Sequence, residues 1–107
     1  MRFDAGSIDI PAAGTRVRWS TDGGLNALDR FLWAKFTPRE GNTGEVYVGI
    51  ADVSATHGVE LDPSGSNLAK GEFVVEPGKF GGSIAVGDVY FDTDTNGNDI
   101  DWAVLLK

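Results

Sequence analysis

The stretch Ile100-Asp101-Trp102-Ala103-Val104-Leu105-Leu106 decides the fold class. Ile100, Trp102, Val104 and Leu106 recur at every second position, the spacing of a strand with one buried face. The same period runs through the chain. In Thr15 to Ser20, Val17 and Trp19 share a face, with Arg16 and Arg18 opposite. Val46, Val48 and Ile50 share one in Glu45 to Ile50, Phe73 and Val75 in Glu72 to Glu76, and Val89 and Phe91 in Asp88 to Asp92. Arg30 to Thr37 carries Phe31, Trp33 and Phe36 into Pro38 and reads as a further strand. Leu25, Leu28 and Leu32 fall at helical spacing, so a turn or helical turn precedes it. Ser7, Ile8, Asp9 and Ile10 suit an N-terminal strand that Pro11 ends.

Turn chemistry separates these segments: Asp22-Gly23-Gly24, Asn42-Thr43-Gly44, Pro63-Ser64-Gly65-Ser66, Pro77-Gly78 and Asn96-Gly97. Asn-Gly between alternating stretches signals a hairpin, because both residues tolerate positive φ. The expected fold is all-β: a small antiparallel β-sandwich, jelly-roll-like, or a barrel, of about seven to eight strands. The 107 residues fit a single β domain, 1–107, with residues 1–11 as an extended N-terminal arm.

Composition narrows the chemistry. Sixteen acids against nine cations give a net charge of −7, which disfavours nucleic acid and anionic membranes. No apolar run approaches the ~20 residues of a membrane helix. Met1-Arg2-Phe3-Asp4 lacks the apolar core of a signal peptide, so the chain reads as a mature protein made in a host cytoplasm. There is no cysteine and one histidine, His57, with Ser54 three residues before it. No nucleophile elbow accompanies them, so the expectation is no enzyme and no catalytic residue.

The stretch Asp92-Thr93-Asp94-Thr95-Asn96-Gly97 partly matches a calcium loop, with Asp92, Asp94 and Asn96 as ligands and Asp99 or Asp101 completing the set. The final bidentate glutamate is missing, since Ala103 stands in its place. The favoured reading is a hairpin turn with solvated acids at its tip, no metal and no cofactor, with Ca2+ as the minor alternative. Tyr47 and Tyr90 fall on the polar faces of their strands and are candidate interface residues. Phe3, Ile8 and Ile10, in the N-terminal segment Met1 to Pro11, are candidates as well.

Asn42-Thr43-Gly44-Glu45-Val46-Tyr47-Val48-Gly49, followed by Asp52-Val53-Ser54-Ala55-Thr56-His57-Gly58-Val59-Glu60-Leu61, resembles a pattern in small phage virion structural proteins of the capsid decoration (cement) kind. The closing Val89-Tyr90-Phe91-Asp92 and Ile100-Asp101-Trp102 and the leading Phe31-Leu32-Trp33-Ala34-Lys35-Phe36 match it too. The resemblance spans roughly residues 30 to 106; the first 29 depart from it. It implies a virion component that binds and stabilises an assembled head, with the major capsid protein as partner, as a homo-oligomer (dimer or trimer). The matching residues are turn formers and core positions, so no site is implied. A carbohydrate- or receptor-binding module of a phage fibre or baseplate is the alternative.

Overall fold

The alternating segments form strands in the computed structural model, which describes residues 1–54, 56–61 and 72–107. In chain order they are β1 (Arg2–Ile10), β2 (Val17–Arg18), a one-turn helix α1 (Trp19–Asp22), β3 (Arg30–Pro38), β4 (Val46–Gly49), β5 (Val59–Leu61), β6 (Phe73–Val75), β7 (Ile84–Ala85), β8 (Tyr90–Thr93) and β9 (Asn98–Leu106). Short 3-10 turns cover Pro77–Phe80 and Val86–Asp88.

Pairing is nested and antiparallel throughout. β1 pairs with β9, β2 with β8, β3 with β6 and β7, and β4 with β5. The chain thus runs as one long hairpin with the β4–β5 connection at its tip. Rolling that hairpin adds the pairs β3·β9 and β4·β8. Two sheets result, ordered β1-β9-β3-β6 (with β7 also on β3) and β2-β8-β4-β5. β6 and β7 lie end to end along one edge of β3 and act as one interrupted strand. Eight strand positions in this order are a jelly roll.

Hydrophobic alternation fills the space between the sheets. Ile100, Trp102, Val104 and Leu106 of β9 are all buried, as the period requires. Trp19 sits at the centre, fully buried, with ring centroids 4.9 Å from Phe36, 5.5 Å from Phe31 and Trp102, and 6.4 Å from Phe91. These are edge-to-face contacts, the arrangement ring quadrupoles favour. The N–H groups of Trp19 and Trp102 have no acceptor among the described residues, so ring packing alone holds both.

Several expectations change. Residues 1–11 are not an arm: Arg2–Ile10 pairs with β9 along its whole length. Ile8 and Ile10 therefore point into the core, at 2% and 0% exposure. The segment Thr15 to Ser20 is a strand only at Val17–Arg18, and Trp19 opens α1 instead. Leu28 is exposed rather than part of a helical stripe. Asn96-Gly97 is not a hairpin, because β8 and β9 belong to different sheets. Only Gly97 takes positive φ there, at 82°, where the chain turns from one sheet to the other. Asn42-Thr43-Gly44 likewise joins β3 to β4 across the sandwich. The turn Pro63-Ser64-Gly65-Ser66 lies outside the described residues.

Candidate functional site

The β1 strand occupies one edge of the first sheet, and its outer side is unpaired among the described residues. It is nine residues long and contains neither proline nor lysine. The other sheet edges are β2, β5 and the β6/β7 pair, with segments of two or three residues. An unpaired edge presents a row of N–H and C=O groups that can template another strand. Proteins usually shorten such edges or guard them with lysine, proline or a bulge.

The outward face beside this edge is graded. Registers place Phe3, Leu105 and Trp33 in one row across β1, β9 and β3. The next row holds Ala5, Ala103 and Lys35, and the next Ser7, Asp101 and Thr37. Asp9 faces Asp99 in the last row, just before Arg39 follows β3. The face thus runs from aromatic to acidic along about six residues, or roughly 20 Å of strand.

Trp33 reaches this face through a backbone irregularity. The β3·β9 register shifts between Phe31 and Trp33. One extra residue there sends Phe31 into the core and turns Trp33 outward. Trp33 then stacks on Phe3, with centroids 6.1 Å apart and planes at 24°. Phe3 stays 64% exposed. Gly6 lies opposite Trp102, and a Cβ at Gly6 would come within 2.8 Å of that indole. The tryptophan covers the core where β1 lacks a side chain.

At the acidic end Arg39 serves several groups. Its guanidinium donates to Asp101 at 2.7 Å and to the Ser7 hydroxyl at 2.6 Å, and lies 3.8 Å from Asp99. Asp9 and Asp99 are directly opposed across paired strands, a costly arrangement for two charges. Partial burial, then the hydrogen bond and charge of Asp9, raise the Asp99 carboxyl above its ordinary 3.8.

The calcium candidates are engaged elsewhere. Asp92 is buried and accepts from the Gly14 and Thr93 amides at 3.0 and 2.8 Å. Asn96 accepts from the Ala13 amide at 2.7 Å, so the two residues staple the β1–β2 connection to the second sheet. Asp94 accepts from the Glu45 amide at 2.9 Å and the Thr95 hydroxyl at 2.9 Å. Asp99 and Asp101 lie at the Arg39 end of the first sheet. Among the described residues no three acidic, histidine or cysteine side chains converge on a metal position. In this structure the oxygens of Asp92, Asp94 and Asn96 accept backbone and hydroxyl hydrogens.

Asn42 gives the Asn-Thr-Gly stretch a physical role that sequence reasoning missed. Its amide donates to the Asp99 carbonyl at 2.8 Å and accepts from the Asp99 N–H at 2.9 Å, copying a strand neighbour. Thr43 N–H adds a bond to Asn98 at 3.0 Å.

The two tyrosines differ from expectation. Tyr47 is buried at 4% exposure, with its hydroxyl 3.3 Å from Glu45. Burial pushes its hydroxyl up to about 12, helped by Asp94, Glu45 and Glu60. It is therefore no surface contact. Tyr90 is half-buried beneath Arg18, whose guanidinium lies 5.7 Å from the ring centroid. Arg18 also donates to the Gly87 carbonyl at 2.8 Å.

A mainly apolar cleft of about 450 Å³ opens between the sheets, lined by Phe31, Phe36, Val48, Phe73, Val75 and Val89 among others, with His57 on its lining. Ser54 and His57 are joined by backbone bonds of 2.9 and 3.1 Å, while the Ser54 hydroxyl pairs with Thr56. No helix among the described residues is long and apolar enough to cross a membrane.

No protein-family model matches this chain. No curated protein matches it either. Among solved structures it is similar to a chain described as "nora virus structure", with a TM-score of 0.45 and 13% identity. The match covers 97% of this chain and 54% of that one, so this chain spans about half of that neighbour. At this level of similarity no activity or partner is carried over.

Proposed function

We propose that the chain is a virion structural protein, a decoration protein that attaches to the major capsid protein of an assembled phage head. One observation carries the reading. The longest open edge among the described residues, β1, adjoins the stack of exposed Phe3 on half-buried Trp33, and the two form one continuous surface. The resemblance of residues 30 to 106 to small phage virion proteins supports the choice of partner. Attachment adds buried area between shell subunits and so stabilises the bound state by mass action.

The test mixes purified protein with undecorated shells. Bound density at defined lattice positions is expected, and shells that stay bare at saturating protein reject the reading. The outward ring pair, with Phe3 exposed, favours a second reading, a carbohydrate- or receptor-binding module, because sugars stack on aromatic faces. A glycan-array signal that vanishes in Trp33→Ala, together with bare shells, would replace the first reading with the second.

A further inference from the structure

The β1 edge carries more information than its openness. Its outward side chains are Phe3, Ala5, Ser7 and Asp9, apolar at one end and acidic at the other. Along that acidic end Asp9, Asp99 and Asp101 face outward with Arg39 as the cation bonded among them. A strand added to β1 lays its own outward side chains beside these, about 5 Å away. Complementarity then asks for an apolar residue near Phe3 and a cation near Asp9, on the same face and about six residues apart.

A second copy of this chain does not meet that demand. Antiparallel self-pairing that uses all of Arg2–Ile10 and keeps both cores on one side centres on Gly6. It sets Phe3 of one copy against Asp9 of the other. The cation of the strand, Arg2, then stands opposite Ile10 on the core-side face and does not reach Asp9. Asp9 then gains no cation beyond the molecule's own Arg39 in either copy.

Resting on the reading of β1 as the docking edge, we infer that its occupant is an extended segment of another protein that adds as a strand and carries an apolar side chain at one end and lysine or arginine at the other. Main-chain bonds to the β1 edge hold the segment, the Phe3–Trp33 stack receives the apolar side chain, and Asp9 beside Asp99 receives the cation. The recognition is of pattern and charge, not of one sequence.

The test needs no shells. The full chain is titrated with three capped nine-residue peptides of alternating threonine and valine: one with two lysines at one end, one with two glutamates there, and one lysine peptide N-methylated on alternate amides. The lysine peptide should bind more tightly than the glutamate peptide, by up to about fivefold per charge at low salt, and lose that advantage as salt rises. N-methylation on the pairing side should abolish binding, since it removes the strand bonds. Asp9→Lys should reverse the preference towards the glutamate peptide, and Asp9→Asn should remove it; Asp9 is exposed, and circular dichroism checks that both variants fold. Equal binding of the two charged peptides, or of the N-methylated one, overturns the inference. So does a concentration-dependent dimer in sedimentation that Asp9→Asn strengthens, which would make β1 a self-pairing edge. Protein that decorates shells yet ignores the lysine peptide overturns it too, while leaving the virion reading intact.

Discussion

Replacing Phe3 with alanine separates attachment from folding. Phe3 is 64% exposed, so only about a third of its side chain is covered by the protein itself. Full burial of a phenylalanine is worth about 1.5–3 kcal/mol, so a third gives about 0.5–1 kcal/mol. The stack on Trp33 at 6.1 Å adds about 0.5–1 kcal/mol. Phe3→Ala should therefore lower unfolding free energy by about 1–2 kcal/mol. Phe36, fully buried and in edge-to-face contact with Trp19 and Phe91, should cost about 3–5 kcal/mol on the same change. Urea titration followed by tryptophan fluorescence measures both. Shell binding should respond in the opposite order: Phe3→Ala, though well folded at room temperature, should weaken attachment about 30-fold, as expected for an aromatic anchor worth about 2 kcal/mol. If Phe3→Ala destabilises as much as Phe36→Ala, the outer face is part of the core. If it folds normally and decorates shells with unchanged affinity, the surface is not the contact.

Other substitutions probe the scaffold and its charges. Gly87→Ala should cost about 1–3 kcal/mol in urea melts, because the added Cβ would meet the Ala27 carbonyl oxygen at 2.8 Å, a backbone atom with little freedom to retreat. The carboxyls of Asp99 and Glu45 are raised in the folded state, Asp99 chiefly by burial and then Asp9, Glu45 chiefly by its bond to Glu60 and then burial. A raised carboxyl binds its proton more tightly when folded, so its stabilisation is complete below the ordinary values of 3.8 and 4.5 and is lost as pH rises through the folded values. Melting temperature should accordingly fall as pH climbs from about 4 towards neutrality, and Asp99→Asn should flatten part of that slope. Millimolar calcium should leave the melting temperature unchanged in differential scanning calorimetry; a rise that Asp94→Asn abolishes would restore a cation to the β8–β9 connection.

Strand identity was legible because it is local. The alternation in Ile100 to Leu106 needs only the neighbours along one chain, and β4, β6 and β8 carry the same signal, while β3 shows itself by its aromatics running into Pro38. Partnership was not legible. Asn96-Gly97 has the chemistry of a hairpin turn, yet β8 pairs with β4 and β9 with β3, because rolling the sandwich buries both inner faces. A turn preference worth about 1 kcal/mol cannot compete with closing a core around Trp19, Phe31, Phe36 and Phe91. The partners of the acids after β8 were hidden for a related reason. Spacing places carboxylates at calcium-loop intervals, but Asp92 points at the Gly14 amide of a connection 78 positions away. That distance is invisible in a linear reading.

The outer face beside β1 was half legible, and the missing half has an identifiable signal. Ile8 and Ile10 alternate with Ser7 and Asp9 just as the core strands do, so the period already marked them as inward and Phe3 as outward. Trp33 is subtler. Phe31 and Phe36 both lie in the core although they are five positions apart, an odd separation that strict alternation forbids. One extra residue must therefore stand between them, and any residue between the extra one and Phe36 changes face. Trp33 falls in that interval and turns outward; Lys35 and Thr37 follow on the same outer face, and Ala34 keeps to the core. A large aromatic is thus turned onto a surface the pattern reserves for polar groups, beside the longest open edge among the described residues. A core that needed only volume would keep this tryptophan inside. The bulge takes this indole out of the core and leaves it half-buried on the outer face, stacked under Phe3.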